Sequence, residues 1–160
     1  MKINEAKTKI MLFNNSKKRD FQPEILLEGK KLEVVEQMKL LGVIITSDLK
    51  WHENTKHITK KAFSRLWLLR RLKTMGASTA TLLDVYCKQV RSVLEFAAVV
   101  WNSGLTLENT TQIERAQKSA FAIILGAEYK SYNEACTKLK METLDLRRKK
   151  LSLNFAKKMQ

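Results

Sequence analysis

Over the first fifty residues the apolar positions come in short runs with a period near two, separated by turn-forming clusters. Residues 10–13 form one such run and stop at Asn14, Asn15 and Ser16. Lys17, Lys18, Arg19 and Asp20 read as a charged loop. Pro23 opens a second run over residues 24–28, and Gly29-Lys30 is a turn signal after which residues 32–35 are expected to return antiparallel. Residues 40–45, rich in β-branched side chains and closed by Thr46, Ser47 and Asp48, are the best strand candidate. These signals predict a small antiparallel sheet or a pair of hairpins.

After Asp48 the period lengthens to about 3.6. Ile58, Ala62, Leu66 and Leu69 fall on one face of a first helix, which Gly76 should end and after which Ser78 should cap the next. That second helix carries Leu82, Tyr86, Val90, Val93 and Ala97, and Asn102, Ser103 and Gly104 close it. A third carries Ile113, Ala116, Ala120 and Ile124 and stops at Gly126. Ser131 and Glu134 have capping-box spacing for a short fourth helix, and a fifth from about Leu144 carries Leu144, Leu151 and Phe155. The expected fold class is α+β: a β segment over residues 1–50, then a mainly α-helical bundle over residues 51–160, with the seam near residues 46–52.

The chain has 160 residues, 44% of them hydrophobic, with three Trp, one Pro and five Gly, which suits one packed domain or a domain with a small appendage. Its formal net charge of +14 asks for an anionic partner, most simply nucleic acid; a basic surface kept for solubility, a ribosomal-type role or a membrane surface are the alternatives. The excess is uneven. Residues 1–50 hold ten Lys/Arg against seven Asp/Glu, residues 51–103 nine against three, and residues 104–160 eleven against six. Cys87 and Cys136 are isolated, as expected of small apolar residues in a reducing compartment. No leader-like apolar segment opens the chain, and the most apolar run, residues 93–101, contains Glu95 and is too short to span a bilayer. An intracellular protein, nuclear or cytoplasmic and without membrane contact, is expected.

Catalytic chemistry is hard to place. His52 and His57 lack the spacing and the cysteines of a zinc site. No glycine-rich turn aims a serine or cradles a phosphate. No two acidic residues are adjacent. The expectation is no catalytic residue, no metal ligand and no cofactor.

Binding chemistry is easier to place. On a helical wheel Lys56, Lys60 and Arg71 lie together, opposite the apolar stripe of the first helix, with Arg70 beside them. Phe63 and Trp67, four residues apart, share that side. Cations interleaved with aromatic rings neutralise phosphates and stack on sugars or bases. The alternative is that both rings pack on a neighbouring element while the cations are simply solvated. Arg147, Arg148, Lys149 and Lys150 form a second basic cluster: a nucleic-acid contact, a nuclear import signal or a solvated helix face. Arg148 shares a stripe with Leu144, so it should be buried against an acceptor, and Gln117 should be a hydrogen-bonded core residue.

The order of particular residues adds to this. Asn4, Lys7, Thr8 and Met11 are followed by Leu41, Gly42 and Val43, then by Asp48, Leu49, Lys50 and Trp51. Tyr86, Arg91, Glu95 and Trp101 come next, then Ile113, Glu114, Gln117, Lys118 and Gly126, and then Tyr129, Tyr132, Leu144, Arg147 and Arg148. This ordered set resembles the end of the palm, the thumb and the following helices of reverse transcriptases from non-LTR (LINE-type, jockey-like) retrotransposons, and it covers essentially the whole chain. The resemblance implies a fragment of an RNA-directed DNA polymerase. The aromatic residue and paired aspartates of that family's catalytic motif have no counterpart, so binding without catalysis is expected. Intact relatives would use Mg²⁺.

The resemblance also implies roles. Asn4, Lys7 and Thr8 match the palm motif beside the incoming nucleotide, where a lysine neutralises the leaving pyrophosphate; without a metal site Lys7 is expected to be a surface lysine. Leu41, Gly42 and Val43 match the primer-grip hairpin, with Leu40 where the family often has an aromatic ring. The thumb match assigns Lys56, Lys60, Trp67, Arg70 and Arg71 to nucleic-acid binding. Implied partners are an RNA or RNA–DNA template–primer duplex and the missing catalytic half of the polymerase. A stand-alone basic helical module that binds nucleic acid and a helical protein–protein adaptor remain the other readings. Loss of the rest of the palm should leave exposed apolar surface near residues 40–45.

Overall fold

The computed structural model describes residues 3–4, 8–13 and 24–159. The fold is α+β and mainly helical. Its centre is α1 (His52–Thr74), a helix of 23 residues whose Ile58, Ala62, Leu66 and Leu69 are buried as the stripe predicts. Glu53 in its first turn and Arg71 and Lys73 in its last oppose the helix dipole. Gly76 ends it at φ +81°, a left-handed conformation that a side chain would strain, and Ala77 N–H closes the turn on the Leu72 carbonyl at 3.0 Å.

Against α1 pack α2 (Thr79–Val85), the π-helical turn Tyr86–Arg91, the single turn α3 (Ser92–Leu94) and, later in the chain, α5 (Leu107–Leu125); α4 (Ala98–Trp101) packs on α7 (Leu144–Lys158), and α6 (Tyr132–Lys138) and α7 pack on α5. Ser78, Thr106, Ser131 and Thr143 cap α2, α5, α6 and α7, each hydroxyl accepting a backbone N–H three residues on. Ile113, Ala116, Ala120 and Ile124 of α5 face α1 and complete the core with Leu82, Tyr86 and Trp101.

The second helix departs from its expected form. It widens into the π-turn and then breaks at Ala97, which sits at φ +50° and is half-buried instead of continuing the core stripe. Trp101 Nε1 donates to the Phe96 carbonyl at 2.9 Å, so the large ring of Trp101 is buried only because the chain turns there. The stripe on α7 also ends early: Leu144 and Arg148 are buried, whereas Leu151 and Phe155 are exposed. The helix runs on past the elements that cover its first two turns.

The β segment consists of pairs of strands. β1 (Lys9–Ile10) lies parallel to β4 (Glu33–Val34), and β2 (Leu26–Leu27) pairs antiparallel with β3 (Lys30–Lys31). The antiparallel return is thus at residues 30–31, and residues 33–34 join β1 instead. The cause is the two-residue turn Glu28-Gly29, both at positive φ, which reverses the chain two residues earlier than expected. The strand expected over residues 40–45 is two strands, β5 (Gln37–Leu40) and β6 (Val43–Thr46), joined at Leu41-Gly42 with φ +46° and +92°. Positive φ at both corners is the geometry that matches strand twist, and glycine makes the second one inexpensive. Val43 enters the helical core, and Asn54 of α1 accepts the Ile44 N–H at 3.1 Å. Pro23, Lys7 and the loop over residues 14–20 lie outside the described residues.

Candidate nucleic-acid interface

The face of α1 turned away from the core carries Lys56, Lys60, Phe63, Trp67, Arg70 and Arg71, all exposed. Phe63 keeps 41% and Trp67 62% of its surface in solvent, so neither ring packs into a neighbouring element. The spacing is helical: Lys56, Lys60, Phe63, Trp67, Arg70 and Arg71 recur every three or four residues and form one stripe. After Glu53 the helix has no acidic residue. The side chains of Lys56, Lys60, Arg70 and Arg71 have no hydrogen-bonding or ion-pair partner among the described residues. From Lys56 to Arg71 the stripe runs about 22 Å, the length of about six phosphates along one strand.

The other cations of α1 serve the fold. Lys73 Nζ donates to the Ile124 carbonyl at 2.8 Å, closing the end of α5, and Arg65 donates to the Gln89 carbonyl. The basic cluster on α7 is occupied too. Arg147 makes a two-point contact with Glu95, at 2.6 and 3.1 Å, and this carboxylate raises the guanidinium pKa above its ordinary value. Lys149 pairs with Asp145 at 2.7 Å, and Lys150 pairs with Glu142.

Arg148 is fully buried. Its Nε donates to Asn102 Oδ1 at 3.1 Å, and its guanidinium lies 5.9 Å from the centroid of the Trp101 ring. The expected acceptor is therefore a neutral amide. The Nη1 and Nη2 atoms find no partner among the described residues, and burial pulls the pKa below the ordinary arginine value. Gln117 is the core polar group expected of it. It accepts from Tyr86 OH and donates to Tyr132 OH at 2.8 Å and to the Glu142 carbonyl at 2.9 Å. Glu114 accepts from Tyr132 OH and from Asp145 N–H, so the network fixes the start of α7.

The primer-grip candidates lie elsewhere. Leu41 is 89% exposed at the hairpin tip, Val43 is buried, and a Cβ on Gly42 would stand 3.0 Å from the Phe96 ring. Asn54, which holds the hairpin, is on the opposite side of α1 from Lys56 and Lys60. The structure thus does not unite the hairpin tip and the basic stripe in one surface. Leu40 and Leu41 are exposed as expected, while Ile44 and Ile45 are half-buried. Asn4 and Thr8 are joined locally, Thr8 Oγ1 donating to the Asn4 carbonyl at 2.8 Å.

A cleft of about 800 Å³ between β4, β6 and the start of α1 is lined by Glu33, Glu36, Asp48 and Glu53 with Lys9. Glu33 is paired to Lys9 at 2.9 Å, and hydrogen bonds from Thr46 and the Lys50 N–H hold Asp48 below the usual carboxylate range. That lining repels phosphate. Among the described residues no three His, Cys, Asp or Glu side chains converge to hold a metal ion. Cys87 and Cys136 are free thiols, and His52 Nδ1 is engaged by Asn109 Oδ1 at 3.2 Å. No described helix is long and apolar enough to cross a membrane.

Comparison with protein-family models, with curated proteins and with solved structures gave no match to this chain. Functional evidence therefore comes from the residues themselves and their placement.

What sequence reasoning missed is apolar. The run over residues 93–101, read as helix, turns a corner that leaves Phe96, Val99 and Val100 exposed and sets Val99 beside the outer part of α7. The signal was present in Phe96, Val99 and Val100, whose spacing does not fit the core stripe of the second helix.

Proposed function

We propose that this chain is a fragment of a reverse transcriptase of the non-LTR type that binds a template–primer duplex, RNA or RNA–DNA, through the outer face of α1 and performs no chemistry by itself. The observation that carries the reading is the exposed stripe of unpaired cations and two aromatic rings on a helix with no acid after Glu53. Lys56, Lys60, Arg70 and Arg71 meet phosphates, and Trp67, with Phe63, lies on sugars or bases, where each stacked ring contributes about 1–3 kcal/mol. Leu41, at the tip of the hairpin that Gly42 turns and Val43 anchors in the core, acts as a separate apolar support for the primer end. The ordered resemblance over nearly the whole chain supplies the polymerase part of the reading, and the catalytic half is the partner it implies. A nuclear or cytoplasmic site of action fits such a substrate.

Anisotropy titration against an RNA–DNA hybrid and a single strand, at several salt concentrations, tests it. Four phosphate contacts give a log–log salt slope of about −3.6 on B-form duplex and a similar one on hybrid. Absence of binding at low salt would remove the reading.

A further inference from the structure

Beyond the basic stripe, one surface is unexplained by nucleic-acid binding. The chain corner at residues 95–99 and the outer half of α7 flank a shallow, open groove of about 690 Å³. Ala97, Ala98 and Val99 form one wall, and Leu151 and Phe155 the other. Phe155 is 50% exposed, and Leu151 beside it is exposed too. Scattered apolar side chains on a surface are ordinary; an apolar cluster built from two elements around a groove, even a shallow one, is a candidate binding feature.

The charges around the groove select what can enter. Glu95 is the one acid in its lining, and it is already engaged by Arg147 and by Arg91 at 3.7 Å. Lys157 and Lys158 also line it, and their side chains have no partner among the described residues. An occupant must therefore offer apolar anchors to the walls and carboxylates to the two lysines. We propose that this groove docks an acidic amphipathic helix of another protein, its apolar face between Val99 and Phe155 and its flanking Asp or Glu on Lys157 and Lys158.

Three other occupants fit less well. A second copy of the chain brings another +14 of net charge against the first. A bilayer needs a broad apolar face, and the apolar side chains here line a shallow groove between two elements. A nucleic-acid backbone gains nothing from apolar walls. The proposal is independent of the reading of α1, because the residues of the two surfaces do not overlap.

The probe is a short fluorescein-labelled helical peptide with Leu and Phe at i, i+3, i+4 and i+7 and Glu on both flanks. Its control has Lys in place of every Glu. The acidic peptide should bind the full chain and the basic one should not. Phe155→Ser, Val99→Ser and the double variant Lys157→Glu/Lys158→Glu should each weaken binding about tenfold or more, while binding of the RNA–DNA hybrid persists. Phe155 is half-exposed, so its replacement leaves the core intact, and circular dichroism checks this. Equal binding of the two peptides, no binding of either, or affinity unchanged in all three variants overturns the proposal. Phe155-dependent pelleting with vesicles of phosphatidylcholine and phosphatidylserine in equal parts, without peptide binding, would overturn it in favour of a membrane. A dimer in sedimentation that Phe155→Ser dissolves would overturn it in favour of a second copy.

Discussion

Helices α1 and α7 are both rich in Lys and Arg, yet the cations on the outer face of α1 and those in the first two turns of α7 stand in opposite situations. On α1 Lys56, Lys60, Arg70 and Arg71 point into solvent with no partner among the described residues. On α7 Arg147, Lys149 and Lys150 each meet a carboxylate, and Arg148 is buried against Trp101 and Asn102. A count of positive residues would rank the two alike. The difference lies in acid placement: α1 has none after its first turn, whereas Asp145 stands one turn before Lys149, and Glu95 is brought to Arg147 by the fold. Exposed pairs such as Lys149–Asp145 add little stability, but they cancel the field that a phosphate would feel. A region of unpaired charge is a better marker of an anionic partner than a region of dense charge.

The largest test of that contrast is at Arg148. Its shape fills space beside Trp101, while its two unpartnered nitrogens are costly to bury. Arg148→Ala should lose about 3 kcal/mol of stability by leaving a cavity. Arg148→Met should stay within about 1 kcal/mol of the parent, because it fills the cavity without a cation. Urea unfolding of both variants measures this. Equal, large losses would mean that the charge itself is needed, and a changed salt slope of nucleic-acid binding would return α7 to the interface.

Next comes Glu95, whose carboxylate is shared by Arg147 and Arg91. Glu95→Ala strands two guanidinium groups that are only partly exposed and should cost about 2 kcal/mol in the same assay. A loss within experimental error would show that Arg147 is solvated after all, and the contrast between the helices would weaken.

Much of this was legible in the sequence, for reasons that differ by element. The stripes of α1 and α5 are long and regular, and burial of Ile58, Leu66, Ile113 and Ile124 follows directly from their period. Caps at Ser78 and Ser131 are local chemistry and were equally readable. The exposed side of α1 was readable because one helix encodes it. The corner at Ala97 was not, because a left-handed alanine is imposed by Trp101 and Phe96 packing and has no local signal. Strand ends failed for a related reason: residues 40–45 look like continuous β sequence, and only the pair Leu41-Gly42 shows that the chain turns back. The partner of Arg147 is 52 residues away and those of Gln117 are 15, 25 and 31 residues away, beyond the reach of any local pattern.

On the α1 side, the triple variant Lys56→Ala/Lys60→Ala/Arg71→Ala sharpens the comparison. It should weaken hybrid binding tenfold or more and make the salt slope shallower by about 2.7, since three phosphate contacts disappear. Stability should move by about 0.5 kcal/mol or less, as these side chains touch nothing in the fold. A parallel loss of stability would mean that the stripe is structural like α7. An unchanged slope would mean that the anion meets the protein elsewhere.

The smallest effect at neutral pH is expected at Tyr86, whose hydroxyl donates to Gln117 in the network that fixes the start of α7. Tyr86→Phe should cost about 1 kcal/mol there and leave nucleic-acid binding unchanged. Its sharper signature is alkaline. Burial raises the pKa of Tyr86 above its ordinary 10.0, and Tyr132 is raised by burial and by its hydrogen bond to Glu114. Each tyrosine is neutral in the fold and ionises first in the unfolded chain. The stability from these raised values is therefore complete below pH 10 and declines as pH rises past it, by about 1.4 kcal/mol per pH unit for each tyrosine. Lysines titrate in the same window, so the difference between parent and variant is the informative quantity. Removing Tyr86 should make the decline above pH 10 shallower by one proton's worth. Coincident alkaline slopes would mean that Tyr86 ionises as freely in the fold as out of it, and that the network does not hold α7 in place.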